Sequence, residues 1–353
     1  TKTQLPVLSN LLLEAKNGIL TISATDLEIG IQTEIDVNIE EEGEITVPAR
    51  FFVELVSSFS PGKTTMQASG KILEVVNAKT KSTFQTIPKE EFPKLYEEKG
   101  EKYAVVKKEA IEDDFAKVVF AASTDTGRPS LSGVLFKKKE GDREKGFLLV
   151  ATDGYRLSLK HAVSEIEEKS EKKQILIPSR VLREAIGIKE EGDLNIFVSP
   201  KSNQVLFSQE GTILVGRLIE AEFPSYEKII PSDSITKAMF NKEDMQRAVK
   251  TCSIFARETS NIVKFSIKRN AIIVSANTPQ VGGNVVEVEA EVGGEENDIA
   301  FNARYLLELF SNVKEEDFLF EMTGPLSPGV FKIKNDPTFL HLIMPIRVQE
   351  ESR

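Results

Sequence analysis

Tryptophan is absent from this chain, cysteine occurs once and histidine twice. A lone thiol, Cys252, forbids any intrachain disulfide, and with only His161 and His341 beside it a zinc site built from cysteine and histidine has too few ligands. No metal or cofactor is expected. Long apolar runs are missing too. No stretch approaches the roughly 18 consecutive apolar residues of a membrane span, and the start, TKTQLPVLSN, has neither the basic nor the apolar region of a signal peptide. The sequence as given therefore predicts no membrane association, and one unpaired cysteine suits a reducing cytoplasm. Catalytic signatures are equally scarce. GxxxxGK and HExxH do not occur, and Cys252 lies on an apolar helical stripe, so no enzyme is predicted.

What is present is length and acidity. The 353 residues suffice for two or three domains at roughly 150 residues each. Against 45 Lys and Arg stand 55 Asp and Glu, a formal charge of -10. A protein that coats nucleic acid with its whole surface needs the opposite balance, although a basic face on an acidic body remains compatible with these numbers.

Internal repetition decides the architecture. Leu8-Ser9-Asn10-Leu11-Leu12 runs through an Asn17-Gly18 turn into ILTISATDLEIGI. A second copy runs from Leu131-Ser132-Gly133 through a charged hairpin to FLLVATDGYRLSL, and a third from Ser260-Asn261-Ile262 through Arg269-Asn270 to AIIVSANTPQVGG. Downstream of each corner the same order returns: EITVPARFFVELVSSF, QILIPSRVLREAIGI and DIAFNARYLLELFSNV. Pro48, Pro178 and Asn302 are thus equivalent helix starts, 130 and 124 residues apart, and Phe92-Pro93 and Phe223-Pro224 close the first two copies.

Short alternating or β-branched runs such as ILTIS, FLLVA and VVEVEAEV predict antiparallel strands joined by hairpins. Ile111, Phe115, Val118, Val119 and Ala122 recur at helical spacing over 107–122, as do Met245, Val249, Cys252 and Phe255 in the third copy. Each copy is predicted to be α+β, two helices on antiparallel sheet, with domains at 1–101, 102–233 and 234–353. Only seven residues precede Leu8, so the first copy's first helix is expected within a stretch of some twenty residues upstream of Thr1, the alternative being a degenerate first copy.

Taken in order, LPVLSNLLLEA, ATDLEIGI, EITVPARFFVEL, TIPKEEFPKL, LSGVLF, ATDGYRLSL, ILIPSRVL, EAEFPSYEKIIP, AFNARYLLEL and LIMPIRV resemble the bacterial DNA polymerase III beta subunit family, the sliding clamps, over Lys2 to Val348. The resemblance implies a head-to-tail homodimeric ring of six similar domains, with sheet outside and helices around duplex DNA. It implies a processivity factor that holds double-stranded DNA topologically, without regard to sequence. The partners implied are the replicative polymerase catalytic subunit and the clamp loader, with translesion polymerases, ligase and mismatch-repair proteins. Enclosure also reconciles the acidic balance with DNA, since a closed ring needs few phosphate contacts.

Three groups of residues follow. Arg50, Arg180 and Arg304 occupy one position in all three copies, in the first helical turn, where a cation opposes the helix dipole. Either a nearby anion explains them or each is solvated or paired to a local carboxylate. Arg183, Lys242, Arg247 and Lys250 add charge to the helices, as do Lys107, Lys108 and Lys117, while the resemblance places Lys2 and Arg128 on DNA-touching loops. The family's tyrosines before the LSG landmark are Pro129 and Ser130 here, which removes base stacking at that point.

The resemblance also implies a peptide pocket between the second and third domains. From the second come Leu131, Thr152, Gly154, Tyr155, Arg156 and Leu157, with Pro224, Lys228 and Ile229. Leu342, Met344, Pro345 and Ile346 complete it, with Asn302 and Tyr305 at the rim. Leu157, Ile229, Leu342, Met344 and Ile346 offer an apolar hollow for Leu or Phe anchors, although by composition alone such residues are more often core. Tyr155 and Lys228 stand where some relatives carry His and Arg, and QEESR continues past the usual end. For the subunit contact, an edge strand carrying Lys79, Lys81 and Phe84 is expected to meet Ile254 and Phe255, for which ordinary core is the competing explanation. Gln280 and Gly282 replace acidic residues found there in some relatives. The rival function is an acidic scaffold that binds Leu- or Phe-containing peptides without DNA.

Overall fold

The structure is a computed structural model that describes residues 5–108, 111–139, 146–163, 165–166, 173–279 and 281–347. The chain forms two compact units, Thr1–Val106 with Gly187–Leu218, and Lys107–Ile186 with Ile219–Arg353.

The first unit contains β1 (Asn10–Lys16), β2 (Ile19–Thr25), β3 (Ile29–Asp36), β4 (Gly43–Pro48), α1 (Ala49–Ser57), β5 (Thr64–Ser69), β6 (Ile72–Asn77), β7 (Thr80–Gln85) and β8 (Glu101–Val106). Asn17 and Gly18 both take positive φ, 53° and 79°, which matches the twist of strands flanking a two-residue hairpin loop and pairs Lys16 with Ile19. The first repeat buries Leu13, Leu20, Val47, Phe52, Leu73 and Val75 together. Helix α1 faces this core through Phe52 and leaves Phe51 and Val53 exposed. Three later strands also belong here: β14 (Leu194–Ser199), β15 (Gln204–Gln209) and β16 (Thr212–Arg217), with β16 antiparallel to β3 from Thr212 opposite Thr33 to Gly216 opposite Ile29. The sheet thus runs β8-β14-β15-β16-β3-β2-β1-β4, and β5-β6-β7 form a separate ribbon.

The second unit holds β9 (Gly133–Lys139), β10 (Gly146–Thr152), β11 (Arg156–Val163), β12 (Glu165–Ile166) and β13 (Gln174–Pro178), then β17 (Thr236–Asn241), β18 (Ile262–Lys268), β19 (Ala271–Thr278), β20 (Gly282–Gly294), β21 (Asn297–Asn302), β22 (Asp317–Met322), β23 (Gly329–Ile333) and β24 (Asp336–Ile343). Its helices are α2 (Ala116–Val119), α3 (Ser179–Ile186), α4 (Lys242–Ala256) and α5 (Ala303–Asn312). Apart from β12, these strands form one sheet in the order β13-β9-β10-β11-β24-β23-β22-β17-β20-β19-β18-β21. Pairing of β11 with β24, Leu157 opposite Leu342, joins the second repeat to the third.

Phe265, Phe301, Phe310, Phe318, Phe320 and Phe331 fill the third repeat's interior, each buried ring contributing about 1.5–3 kcal/mol. Gly329 is required there, because a Cβ would lie 2.4 Å from the Phe301 ring. Equivalence of the repeats is visible in register: Asn10 faces Pro48, Gly133 faces Pro178 and Ile262 faces Asn302, each pair immediately before a helix. The expected helix over 107–122 is shorter than its periodicity suggests. Among the described residues it is a wide turn at Ile111–Phe115 followed by α2, after which 120–122 leave the helix.

Lys117 corrects the expectation of a cation displayed on that helix. Its neighbours Val118 and Val119 face inward, and Lys117 follows them to 2% exposure. The ammonium is held by Asp113 and Glu315, each at 2.5 Å. Nearby, Lys160 donates to Asp336 and Thr338, both at 2.6 Å, and lies 3.4 Å from Asp114. Two buried lysines and their carboxylates therefore clasp β11 and the second repeat's helical segment to the third repeat.

Candidate functional site

The AT-Asp corners form the same turn twice. In the first unit the Thr25 hydroxyl donates to the Ile29 carbonyl at 2.8 Å and accepts from the Leu27 N–H at 3.0 Å. In the second unit Thr152 does the same with Arg156 and Gly154, at 2.6 and 3.1 Å. The central residue takes positive φ in both, Leu27 at 76° and Gly154 at 94°. Asp26 and Asp153 are turn formers, as the repetition predicts.

The second corner differs from the first in carrying a buried arginine. Arg156, 6% exposed, donates from Nε to Asp153 at 3.1 Å and from Nη2 to the Phe120 carbonyl at 2.9 Å. Its Nη1 lies 2.6 Å from Glu308 Oε2, a charge contact without hydrogen-bond alignment. The guanidinium sits over the rings of Phe120 and Tyr305, 5.5 and 4.7 Å from their centroids. Arg156 is therefore a pin for the corner and presents no free charge to a ligand. Above it the strap Met344–Ile346 is stitched down at both ends, Met344 N–H to the Tyr155 carbonyl and Ile346 N–H to the Ala300 carbonyl, each at 2.8 Å.

The residues expected to line a hollow divide into a buried set and an exposed set. Leu157 and Leu342 are fully buried in a cluster with Leu135, Val150, Leu176 and Tyr226. They are core, because strand pairing places them face to face inside the sheet layer. Thr152 is also buried, whereas Leu131, Asn302, Tyr305, Pro345 and Ile346 are half-buried. Tyr155, Ile229 and Met344 stand exposed at 59%, 42% and 36%, with Gly154, Pro224 and Lys228 also exposed. Burial and the Asp153 charge push the Tyr305 phenol up, so it stays a neutral donor. Sequence reasoning missed Leu326, 62% exposed in the turn that leads to Gly329, which pairs opposite Ile343 beside Met344. Its signal was an apolar residue inside GPLSPG.

The helix-borne cations are unequal. Arg50 and Arg304 are exposed but each bonds the glutamate one turn on, Arg50 to Glu54 at 3.0 Å and Arg304 to Glu308 at 2.7 Å. Arg180 precedes Glu184 at the same spacing. Arg180, Arg183 and Lys250 are exposed, with Arg183 Nη2 3.3 Å from the Val119 carbonyl. Arg247 is exposed and pairs with Asp244. Lys242 is not free for a ligand: its ammonium donates to the Val313 and Lys314 carbonyls, both at 2.9 Å, just past the end of α5, where a cation meets the negative end of the helix. Arg128 is spent on Asp125 at 3.0 Å and on the Asp153 carbonyl at 3.3 Å. Lys2 lies outside the described residues, as do Gln280 and the QEESR tail.

At the expected subunit contact, Lys79 and Lys81 are exposed on and beside β7, the edge of its ribbon, with Lys81 2.7 Å from Glu74. Phe84 instead turns inward against Phe52, ring centroids 6.0 Å apart. Ile254 is 58% exposed, and Phe255 is half-buried. Val281 and Val285, missed in the sequence although VVEVEAEV alternates, are 65% and 69% exposed near the start of β20. That strand pairs with β19 over Gly282–Glu289 and with β17 only over 290–294, leaving one edge of its first half unpaired among the described residues.

Burial pushes the Cys252 thiol up to about 11, and no cluster of metal-ligating side chains occurs among the described residues. A repeated α+β unit with cationic helix positions, free strand edges and an apolar strap-and-corner site defines a clamp-type scaffold for other molecules. The chain belongs to the DNA polymerase III beta subunit family: it matches the N-terminal domain over 1–96, the central domain over 105–225 and the C-terminal domain over 227–347. It is 28% identical to a beta sliding clamp of Staphylococcus epidermidis across 98% of this chain and 93% of the relative. To that of Bacillus subtilis it is 27% identical, across 98% and 94%. The crystal structure of the Bacillus subtilis clamp superposes with a TM-score of 0.91 at 26% identity, over 99% of this chain and 94% of that one. A Thermotoga maritima beta subunit gives 0.89 at 26%, with the same coverage. The fold is the three-domain clamp fold and the function that of a DNA sliding clamp, a non-catalytic processivity factor that works with DNA and a DNA polymerase.

Proposed function

We propose that two copies close head to tail into a ring around duplex DNA, with domains at 1–101, 102–233 and 234–353. Partner proteins dock a Leu- or Phe-bearing segment at the strap-and-corner site. The single observation behind the docking site is the strap itself: Met344 and Ile346 tie the second repeat's corner to the third repeat's β21, so one apolar rim draws on both repeats. In this reading Tyr155, Ile229, Met344 and Leu326, all exposed, make the rim, and Leu157 and Leu342, both buried, make the floor. A large exposed apolar rim over a rigid floor suits aromatic and aliphatic anchors.

Arg50, Arg180, Arg183, Arg247, Lys250 and Arg304 face DNA in this reading. The carboxylates that Arg50, Arg247 and Arg304 already hold keep those contacts weak, which favours sliding over gripping. Ring closure joins the Lys79 and Lys81 edge to Ile254, Phe255, Val281 and Val285. Besides the polymerase, the clamp loader, translesion polymerases, ligase and mismatch-repair proteins use the same docking site, in a cytoplasmic setting.

The test is retention. A closed ring loaded onto a nicked circle should persist in high salt and leave promptly after one double-strand cut, because enclosure needs no phosphate contacts and direct binding weakens steeply with salt. Equal loss from circle and line at one salt concentration would sink the enclosure reading.

A further inference from the structure

The Arg-x-x-x-Glu pair recurs in all three repeats, yet it is used differently in the third. In the first repeat Glu54 is 61% exposed and has no second ion pair among the described residues. In the third, Glu308 is 29% exposed and divides its carboxylate: Oε1 accepts from Arg304 Nε at 2.7 Å, while Oε2 lies 2.6 Å from Arg156 Nη1. Arg304 is 75% exposed and borders a groove between α4 and α5 of about 390 Å³, which Arg257, Asn261 and Ser311 also line. Arg156 is buried beneath the peptide site. One carboxylate therefore connects an open, cation-lined groove to the pin of the docking corner.

We propose that Glu308 is a positioning residue that couples a DNA phosphate in the α4–α5 groove to peptide binding at the Tyr155–Met344 rim. The proposal rests on the docking and DNA-facing reading above. A phosphate oxygen engaging Arg304 competes with Glu308 Oε1 for the same guanidinium. Released from Arg304, the carboxylate gives its whole charge to Arg156, which already holds the turn through Asp153 and the Phe120 carbonyl. Because the carbonyl of Tyr155 in that turn holds the Met344 N–H, firmer Arg156 means a better ordered rim. A site ordered beforehand pays less entropy when its ligand arrives, so DNA contact tightens peptide binding. Linkage makes the effect mutual: peptide must tighten DNA contact by the same factor. The chain of contacts is short, phosphate to Arg304 to Glu308 to Arg156 to the corner.

The experiment measures anisotropy of a fluorescein-labelled peptide carrying Leu and Phe anchors on the whole protein, with and without a 30-base-pair duplex at low salt. In the wild type the duplex should tighten the peptide by about fivefold, the lower end of ordinary coupling, and peptide should tighten the duplex equally. Glu308→Gln, which leaves Arg304 in place, should bind both ligands with that factor reduced to one, and Arg304→Gln, which removes the phosphate contact, should bind the duplex more weakly and show no coupling. Glu54→Gln, which lacks the second arginine, should keep the full factor. Arg304→Gln alters an exposed side chain and reads the coupling even if Glu308→Gln lowers stability. No duplex effect in the wild type, or full coupling in either third-repeat variant, overturns the proposal. Absence of peptide binding to the wild type would overturn the docking reading itself, and this proposal with it.

Discussion

Asp26 and Asp153, 127 residues apart in the chain, hold the same turn with the same atom. Oδ1 of Asp26 accepts from the Glu28 and Ile29 N–H groups at 3.0 and 2.8 Å, and Oδ1 of Asp153 from those of Tyr155 and Arg156 at 2.8 and 3.0 Å. What separates them is the other oxygen, which in Asp153 carries buried Arg156.

Removing the two carboxylates should therefore have unequal effects. Asp26→Ala loses turn hydrogen bonds at an exposed corner and should cost about 1 kcal/mol. Asp153→Ala also strips a buried guanidinium of one partner and should cost about 2–3 kcal/mol. Urea unfolding midpoints compare them, and equal shifts would refute the distinction.

Floor and rim of the docking site should separate under alanine substitution. Leu157→Ala and Leu342→Ala remove fully buried side chains and should destabilise by about 2–5 kcal/mol. Met344→Ala, at an exposed rim position, should leave the melting temperature within a degree or two yet weaken peptide binding by about tenfold. Calorimetry and peptide titration on each variant check both halves.

A pH effect centres on His341. The ring is wholly buried, its Nδ1 2.6 Å from the Ser158 hydroxyl, and is stacked on Phe120 at 5.3 Å. Burial, and next the Arg156 charge, hold its imidazole well below the usual range. The folded state thus refuses a proton that the unfolded chain accepts below about pH 6.5. Stability from this group is complete above that value and is lost as pH falls, by up to about 1.4 kcal/mol per unit. Asp336, Glu321 and Glu308, held below the ordinary carboxylate range, add their own losses only near pH 4 and beneath. His341→Asn should flatten the unfolding free energy between pH 6.5 and 5 relative to wild type.

Charge placed at Ile254 on α4 and at Val285 on β20 should separate the copies. Ile254→Asp with Val285→Lys puts two unpaired charges where exposed apolar groups now stand. Sedimentation should then give a particle of 39.2 kDa in place of one twice that mass. An unchanged dimer would place the contact elsewhere.

Much of the repeat was legible because turn chemistry is local. The Asn17-Gly18 hairpin, the Pro48, Pro178 and Asn302 helix starts and the AT-Asp corner are each fixed by a few neighbouring residues. Strand exchange was not legible. That β16 joins β3 and β11 joins β24 depends on partners more than 150 residues away, and the alternation of each strand is satisfied by any apolar neighbour. Lys117 and Lys242 misled for a related reason: a lysine beside a helix reads as solvated unless its distant acceptors, Glu315 for one and the Val313 carbonyl for the other, are known. Leu157 and Leu342 were identified as apolar, but only sheet register decides between floor and rim.

The lysine clasp between the second and third repeats bears on where the protein is able to bend. Swinging those repeats apart would unzip the β11–β24 ladder, take Glu315 from Lys117 and Asp336 from Lys160, and leave each ammonium only its partner in the second repeat, Asp113 or Asp114. Each buried lysine would lose one carboxylate of its set, and the two losses would fall together with the strand ladder. This joint is a weld, with no cheap intermediate angle. Torque applied to the chain must be relieved elsewhere than at this joint.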